Sequence, residues 1–156
     1  SFLADALGEA VASPLFTLVD DPLLPGGLGS RPFDGEGARP ARKEIFGKGV
    51  LRAFLFDSYS LRKLAAAAPE KAAGGTPGNA ARGIGGSTSV ATSNLFVEAG
   101  KETPEAVIAA VPDGFYVTET MGFGVNTVTG DYSKGAAGIA VSVKSNWQGT
   151  SSPSTA

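Results

Sequence analysis

Apolar residues in this chain come in short runs, and most of the runs have strand length. Phe16-Thr17-Leu18-Val19-Asp20 reads as one strand, stopped by Asp21-Pro22. Residues 25–29 (Pro-Gly-Gly-Leu-Gly) form a turn-rich loop. Arg42 to Phe46 and Val50 to Phe56 flank Gly47-Lys48-Gly49, the pattern of a hairpin. In the second arm Leu51, Ala53 and Leu55 alternate with Arg52, Phe54 and Phe56, so apolar groups fall on both faces and the arm is expected to be buried on two sides. Asp57 or Ser58 then caps a helix whose short apolar face is Leu61, Leu64 and Ala65, fading by Pro69.

From Ala72 to Ser93 large apolar side chains all but vanish, which predicts a loop of about 20 residues; a loop that long is usually functional or disordered. Asn94 to Glu98 resumes as a strand. Thr103 caps a second helix with Pro104 at its first position, and Ala106, Val107, Ala110 and Val111 form its expected buried stripe. Gly114 to Thr120 is the clearest strand, rich in β-branched and aromatic residues. Residues 121–126 form a glycine-punctuated bend, Thr127 to Tyr132 a further strand, and Gly138 to Val143 a last one. The pattern predicts an α+β domain, β-rich, with a mainly antiparallel sheet (barrel- or sandwich-like) and two short helices. Residues 1–143 form the domain, and 144–156, rich in Ser and Thr, read as a disordered tail.

Composition narrows the chemistry. Among 156 residues there are 22 Gly and 10 Pro, an excess that favours tight turns. The net charge of −2 gives no electrostatic footprint for nucleic acid. The densest basic run, Arg39, Arg42 and Lys43, is followed at once by Glu44 and reads as a solvated edge. No apolar run approaches the roughly 20 residues that span a bilayer, so no membrane partner is expected. The opening lacks a signal peptide's basic and apolar regions; it also lacks an initiator Met, which suggests a start inside something larger or a processed end. There is no Cys, which fits a reducing compartment, and no His. Catalytic zinc sites draw mainly on those two residues, and general-base chemistry near neutral pH on His.

Four candidates for chemistry remain. Gly83-Ile84-Gly85-Gly86 could cradle a phosphate, but no strand leads in and no Lys-Ser/Thr or helix follows, so a flexible loop is the simpler reading. Asp57, Glu98, Glu119 and Asp131 sit at predicted strand ends, where paired carboxylates could hold a cation; spacing does not bring any two together, and caps or surface charges account for them. Ser58-Tyr59-Ser60 with Arg62-Lys63 is explained by the helix alone. The fourth is the stretch 118–126, where Gly122 and Gly124 interrupt a strong strand pattern. Such glycines mark a bulge or a close backbone approach. Its functional reading is a groove edge, with Gly122, Phe123, Gly124 and Asn126 binding an extended peptide as an added strand; its bland reading is a structural corner.

Four stretches, in order, resemble the C-terminal domain of the TldD/PmbA family, the so-called modulators of DNA gyrase. They are residues 1–8 (Ser-Phe-Leu-Ala-Asp-Ala-Leu-Gly), 27–37 (Gly-Leu-Gly-Ser-Arg-Pro-Phe-Asp-Gly-Glu-Gly), 57–64 (Asp-Ser-Tyr-Ser-Leu-Arg-Lys-Leu) and 114–138, from Gly-Phe-Tyr-Val-Thr-Glu-Thr-Met-Gly-Phe-Gly-Val-Asn to Gly-Asp-Tyr-Ser-Lys-Gly-Ala-Ala-Gly. Residues 32–37 and 130–138 are similar to the TldE/PmbA branch. The resemblance implies a partial C-terminal domain of a non-catalytic TldE/PmbA-like subunit in a TldD–TldE metallopeptidase that acts on extended peptides. It implies a TldD-like subunit, or a second copy, as partner, and a cytoplasmic location. Zinc is implied only for the TldD partner, which carries a His-Glu-x-x-x-His helix that TldE proteins lack; the family position of that helix would fall just upstream of Ser1, and no cofactor is expected in this chain. The alternatives are a fragment of an active TldD-like zinc enzyme, or a gyrase-associated regulator. The pattern departs from the family from Ser142 onward and is looser at Ala65 to Ala68.

Overall fold

The computed structural model describes residues 2–73 and 75–142. They divide into two compact units, Leu3–Ala99 and a second made of residues 100–142 with Phe2. The expected tail lies outside the described residues.

In the first unit the strands are β1 (Leu18–Asp20), β2 (Lys43–Gly47) and β3 (Val50–Leu51), followed by helices α1 (Ser58–Ala67) and α2 (Pro69–Ala72), then β4 (Ala80–Arg82), β5 (Thr88–Val90) and β6 (Leu95–Val97). One antiparallel sheet has the order β3-β2-β1-β6, and β4 and β5 pair as a separate hairpin. The β2–β3 turn is a two-residue loop, Lys48-Gly49, with φ of 51° and 80°, the left-handed pair that matches strand twist. Gly49 is required there for a second reason. A Cβ on it would sit 2.7 Å from the Ser13 carbonyl oxygen and closer still to that of Ala12. The loop is tied down because Gly49 N–H donates to Phe16 O at 2.8 Å and Val11 N–H donates to Gly49 O at 3.0 Å.

The second arm of this hairpin is shorter than its pattern predicts. After Leu51 the amides of Arg52 and Ala53 both point to the carbonyl of Ile45, at 2.8 and 3.4 Å, so the ladder loses its step and ends. Arg52 is exposed, and only Leu51 and Phe56 in this arm are buried. Asp57 caps α1: its Oδ1 accepts from Ser60 N–H at 2.7 Å, and Ser60 Oγ accepts from Asp57 N–H at 3.1 Å, a reciprocal capping box.

The expected loop over 72–93 is the main correction. It contains the β4–β5 hairpin, and just before it lies α2, which ends at Ala72 and makes three helices rather than two among the described residues. The Gly83–Gly86 cluster is the turn of that hairpin: Gly86 N–H donates to Gly83 O at 3.2 Å, and Gly85 has φ +70°. The segment looked structureless because its anchors are small. Ala80 and Asn79 are buried to 0% and 1% exposure, yet neither gives an apolar signal as strong as a Leu or Phe.

The second unit holds α3 (Pro104–Ala109), β7 (Asp113–Val125) and β8 (Tyr132–Ser142). Thr103 caps α3 as its sequence suggests, with Oγ1 accepting from Ala106 N–H at 3.2 Å. Its apolar stripe is not buried among the described residues. Val107, Ile108 and Val111 line an apolar cavity of about 230 Å³ with Gly114, Phe115 and Tyr116. β7 continues into the expected bend as far as Val125, with its pairing shifted between Met121 and Gly124. The expected strand over 127–132 is instead the turn that reverses the chain, and β8 begins only at Tyr132. Asn126 explains this, since its Oδ1 accepts the amides of Val128 at 3.0 Å and Thr129 at 3.3 Å. An Asn side chain satisfying its own following amides favours a turn over a ladder. All strand pairs are antiparallel, so the chain is α+β and β-rich; among the described residues no sheet closes into a barrel.

Candidate functional site

Two places concentrate polar chemistry, one in each unit. The first is the bulged tip of the β7–β8 hairpin. Pairing is regular from Asp113↔Ser142 to Val117↔Gly138, then shifts between Val117 and Glu119 and again between Met121 and Gly124. Gly122 sits in the second irregularity with φ +94°, a backbone state that side chains rarely adopt. Its carbonyl accepts from Lys134 Nζ at 3.2 Å, which holds the bulge to the opposite strand. Gly124 faces Ser133 so closely that a Cβ would lie 2.5 Å from the Ser133 carbonyl.

An open groove of about 410 Å³ lies at this tip, lined by Phe123, Gly124, Val125, Asn126, Asp131, Tyr132 and Ser133. Three of the four residues singled out from the sequence, Phe123, Gly124 and Asn126, therefore line one groove. Gly122 does not, and acts on the backbone path instead. The Phe123 ring is fully exposed. Asn126 spends its side-chain oxygen on the turn, and its backbone N–H donates to Asp131 O at 2.8 Å. Asp131 in turn accepts from Thr129 Oγ1 at 2.7 Å. β7 and β8 pair only with each other among the described residues, so each strand keeps one long edge without a strand partner.

The second place is a buried polar network in the first unit, which sequence reasoning did not find. Asp20, Asn79 and Lys43 are at most 9% exposed. Asn79 Nδ2 donates to Asp20 Oδ2 at 2.7 Å and to Ala91 O at 3.3 Å, while its Oδ1 accepts from the Lys43 ammonium. That ammonium also donates to the carbonyls of Thr76 at 3.3 Å and Pro77 at 3.2 Å. Asp20 Oδ1 accepts from Ser93 N and Oγ, each at 2.7 Å. Burial pushes the Lys43 ammonium below its usual range, and the charges of Asp20 and Asp34 only partly oppose this. The basic run expected to be solvated is thus split. Lys43 turns inward, while Arg42 pairs outside with Glu98 at 2.7 Å. Strand alternation puts adjacent residues on opposite faces, which is why neighbours in one charge run part company.

Asp34 is the other inward carboxylate. Burial works to raise its pKa, but the amides of Ala80, Glu36 and Ala38, at 3.1, 2.9 and 2.9 Å, with the charge of Arg31, hold it below the ordinary carboxylate range. Arg31 keeps Nε and Nη2 buried with no hydrogen-bond acceptor among the described residues. Asp57 is held low by the side-chain and backbone donors of Ser60, its capping partners. The four carboxylates considered as a set go to separate jobs: Asp57 caps a helix, Glu98 pairs with Arg42, Asp131 braces a turn, and Glu119 lies exposed on β7. Among the described residues no group of three or more His, Cys, Asp or Glu could hold a metal ion. With no His and no Cys in the chain, the residues present do not fit a zinc site. No helix among the described residues is long and apolar enough to cross a membrane.

The chain matches a family described as the PmbA/TldA metallopeptidase C-terminal domain over residues 1–145. It is 38% identical over 141 residues to the metalloprotease PmbA of Escherichia coli O157:H7, covering 90% of this chain and 28% of that protein. It is 37% identical over 144 residues to a PmbA homologue of Haemophilus influenzae, with the same shares covered. A TldD homologue of the same organism matches at 26% over 133 residues, covering 85% of this chain and 26% of its own length. Among solved structures, a Thermotoga maritima protein named for DNA gyrase modulation superposes with a TM-score of 0.75 at 32% identity, covering 91% of this chain and 31% of that one. The chain spans little more than a quarter of the length of the relatives it matches.

Proposed function

The chain belongs to the PmbA/TldA metallopeptidase family through its C-terminal domain, and on that premise we propose that it is part of a non-catalytic, PmbA/TldE-like subunit that presents extended peptides to a metal-bearing TldD-like partner. The observation that carries this reading is the β7–β8 hairpin. Its outer edges are unpaired among the described residues, and a glycine bulge beside an exposed Phe123 opens a groove at its tip. A strand edge of this kind offers backbone donors and acceptors to any extended chain, whatever its sequence, while pockets between side chains add selectivity. That suits a system that must handle varied peptides.

In this reading the zinc belongs to the partner, and these 156 residues supply neither His nor Cys. Identity supports the branch: within one organism the PmbA homologue is nearer than the TldD homologue. The partner is a TldD-like subunit or a second copy of this chain.

The test uses the purified protein, alone and mixed with a TldD-like subunit, loaded with one equivalent of zinc. Metal analysis and cleavage of an unstructured peptide are followed together. Alone, the protein retains no stoichiometric zinc and leaves the peptide whole, and cleavage requires the partner. Retained zinc together with cleavage by the protein alone contradicts the proposal. Phe123→Ala separates binding from folding, since the ring is wholly exposed and its loss should weaken peptide binding without lowering stability.

A further inference from the structure

A further cavity, of about 240 Å³, lies in the first unit and has a distinct chemistry. Its apolar wall includes Leu7, Phe54 and Phe56, and its polar wall includes Lys43, Arg52 and Lys71; no Asp or Glu lines it. The two rings meet edge to face at 6.4 Å, so the wall offers both a face and an edge to an apolar group.

The three cations are not equivalent. Lys43 spends its donors on the carbonyls of Thr76 and Pro77 and on Asn79 Oδ1, so it gives the cavity charge but no free hydrogen bond. Lys71 is paired with Asp5, an exposed carboxylate outside the cavity lining. The Arg52 guanidinium has no acceptor among the described residues, and the residue is exposed. An arginine with its fork free, next to two further cations and an aromatic wall, matches a carboxylate carried on an apolar body. The volume is below that of ordinary pockets for drug-sized ligands, and suits one residue rather than a long segment.

We propose that this cavity holds the C-terminal carboxylate and last apolar side chain of a peptide, with Arg52 binding the carboxylate and Phe54 and Phe56 enclosing the side chain. That the ligand is a peptide rests on the function proposed above; the carboxylate and apolar chemistry rest on the cavity alone. A terminal carboxylate is the feature every cleaved peptide shares, so a site for it would give a peptide-handling subunit a hold on chain ends independent of sequence.

The test is calorimetric titration of the full-length protein with N-acetyl-phenylalanine and with its amide. The acid should bind, and the amide should bind roughly tenfold or more weakly, the loss expected for a charge-assisted hydrogen bond. Arg52→Gln should bring the acid down to the level of the amide. Arg52→Lys, which keeps the charge without the fork, should fall between. A peptide carrying an internal Glu but an amidated end distinguishes a side-chain carboxylate from a terminal one; its binding at the level of the acid overturns the assignment to chain ends. Equal binding of acid and amide, no binding of the acid at millimolar concentration, or an unaffected Arg52→Gln variant overturns the proposal outright. Phe123→Ala run alongside keeps the two sites apart. Loss of acid binding is not expected from it, and an extended peptide that still needs Phe123 when the acid fails to bind leaves the hairpin reading standing alone.

Discussion

Asn79 shows how much a single residue can carry without announcing itself. It joins a buried cation to a buried anion, accepting from Lys43 and donating to Asp20. Its backbone N–H is also used, donating to Phe56 O at 3.1 Å. Asn79→Ala leaves Lys43 short of one acceptor and Asp20 short of one donor, both in the interior. Stranded buried charges of this kind cost about 3 kcal/mol. Chemical denaturation of the variant should therefore show a large drop in midpoint with an unchanged slope.

Asp34 is a pH reporter of predictable sign. Its folded pKa lies below the unfolded value, so the unfolded chain binds more protons near pH 4. The stability Asp34 contributes is present above the unfolded pKa and is lost as pH falls through the folded one. In Asp34→Asn, stability at neutral pH should drop, and the slope of stability against pH below about 4, the ordinary carboxylate value, should flatten. Neither residue was legible in the sequence. A polar side chain in a Gly- and Pro-rich stretch looks like any turn residue, and only the fold shows which ones face inward. Asp57 was legible because an N-cap depends on neighbours three positions away, and Gly49 because a hairpin turn is equally local.

At the level of elements, the strand pattern was strong wherever large residues set it. Leu18 to Asp20, Leu95 to Val97 and Thr103-capped α3 lie within the predicted segments. The β4–β5 hairpin was missed because its pairing is carried by backbone and small side chains. The β7–β8 hairpin was split by its own glycines, since a bulge inside a long strand and a bend between two short ones leave the same sequence trace. Three of the four candidate residues nonetheless share a groove, because sequence neighbours near a bulged turn stay neighbours in space. Gly124→Val tests the bulge directly. The new side chain would press on the Ser133 carbonyl, so local opening of the hairpin should increase. Amide exchange in residues 113–142 should speed up while residues 43–51 keep their protection. Equal acceleration in both segments would mean the two compact units do not open separately.

Across the whole molecule, the proposed role rests on the long hairpin. The chain has a net charge of −2 and carries no His or Cys, the side chains on which catalytic zinc sites mainly draw. The 13-residue β7 strand and 11-residue β8 strand make the longest edges among the described residues. Two-stranded hairpins are marginal alone in water and gain from a third strand. Phe115, Tyr116, Val117 and Met121 leave between 44% and 50% of their surface exposed along β7, so an added strand has apolar neighbours as well as backbone to pair with. Hydrogen exchange of the full-length protein with and without an unstructured peptide, followed by mass spectrometry, tests this most directly. The account predicts slower exchange within residues 113–142 when peptide is present, with the peptide recovered intact. Unchanged exchange across that segment, with protection arising elsewhere or nowhere, would contradict it.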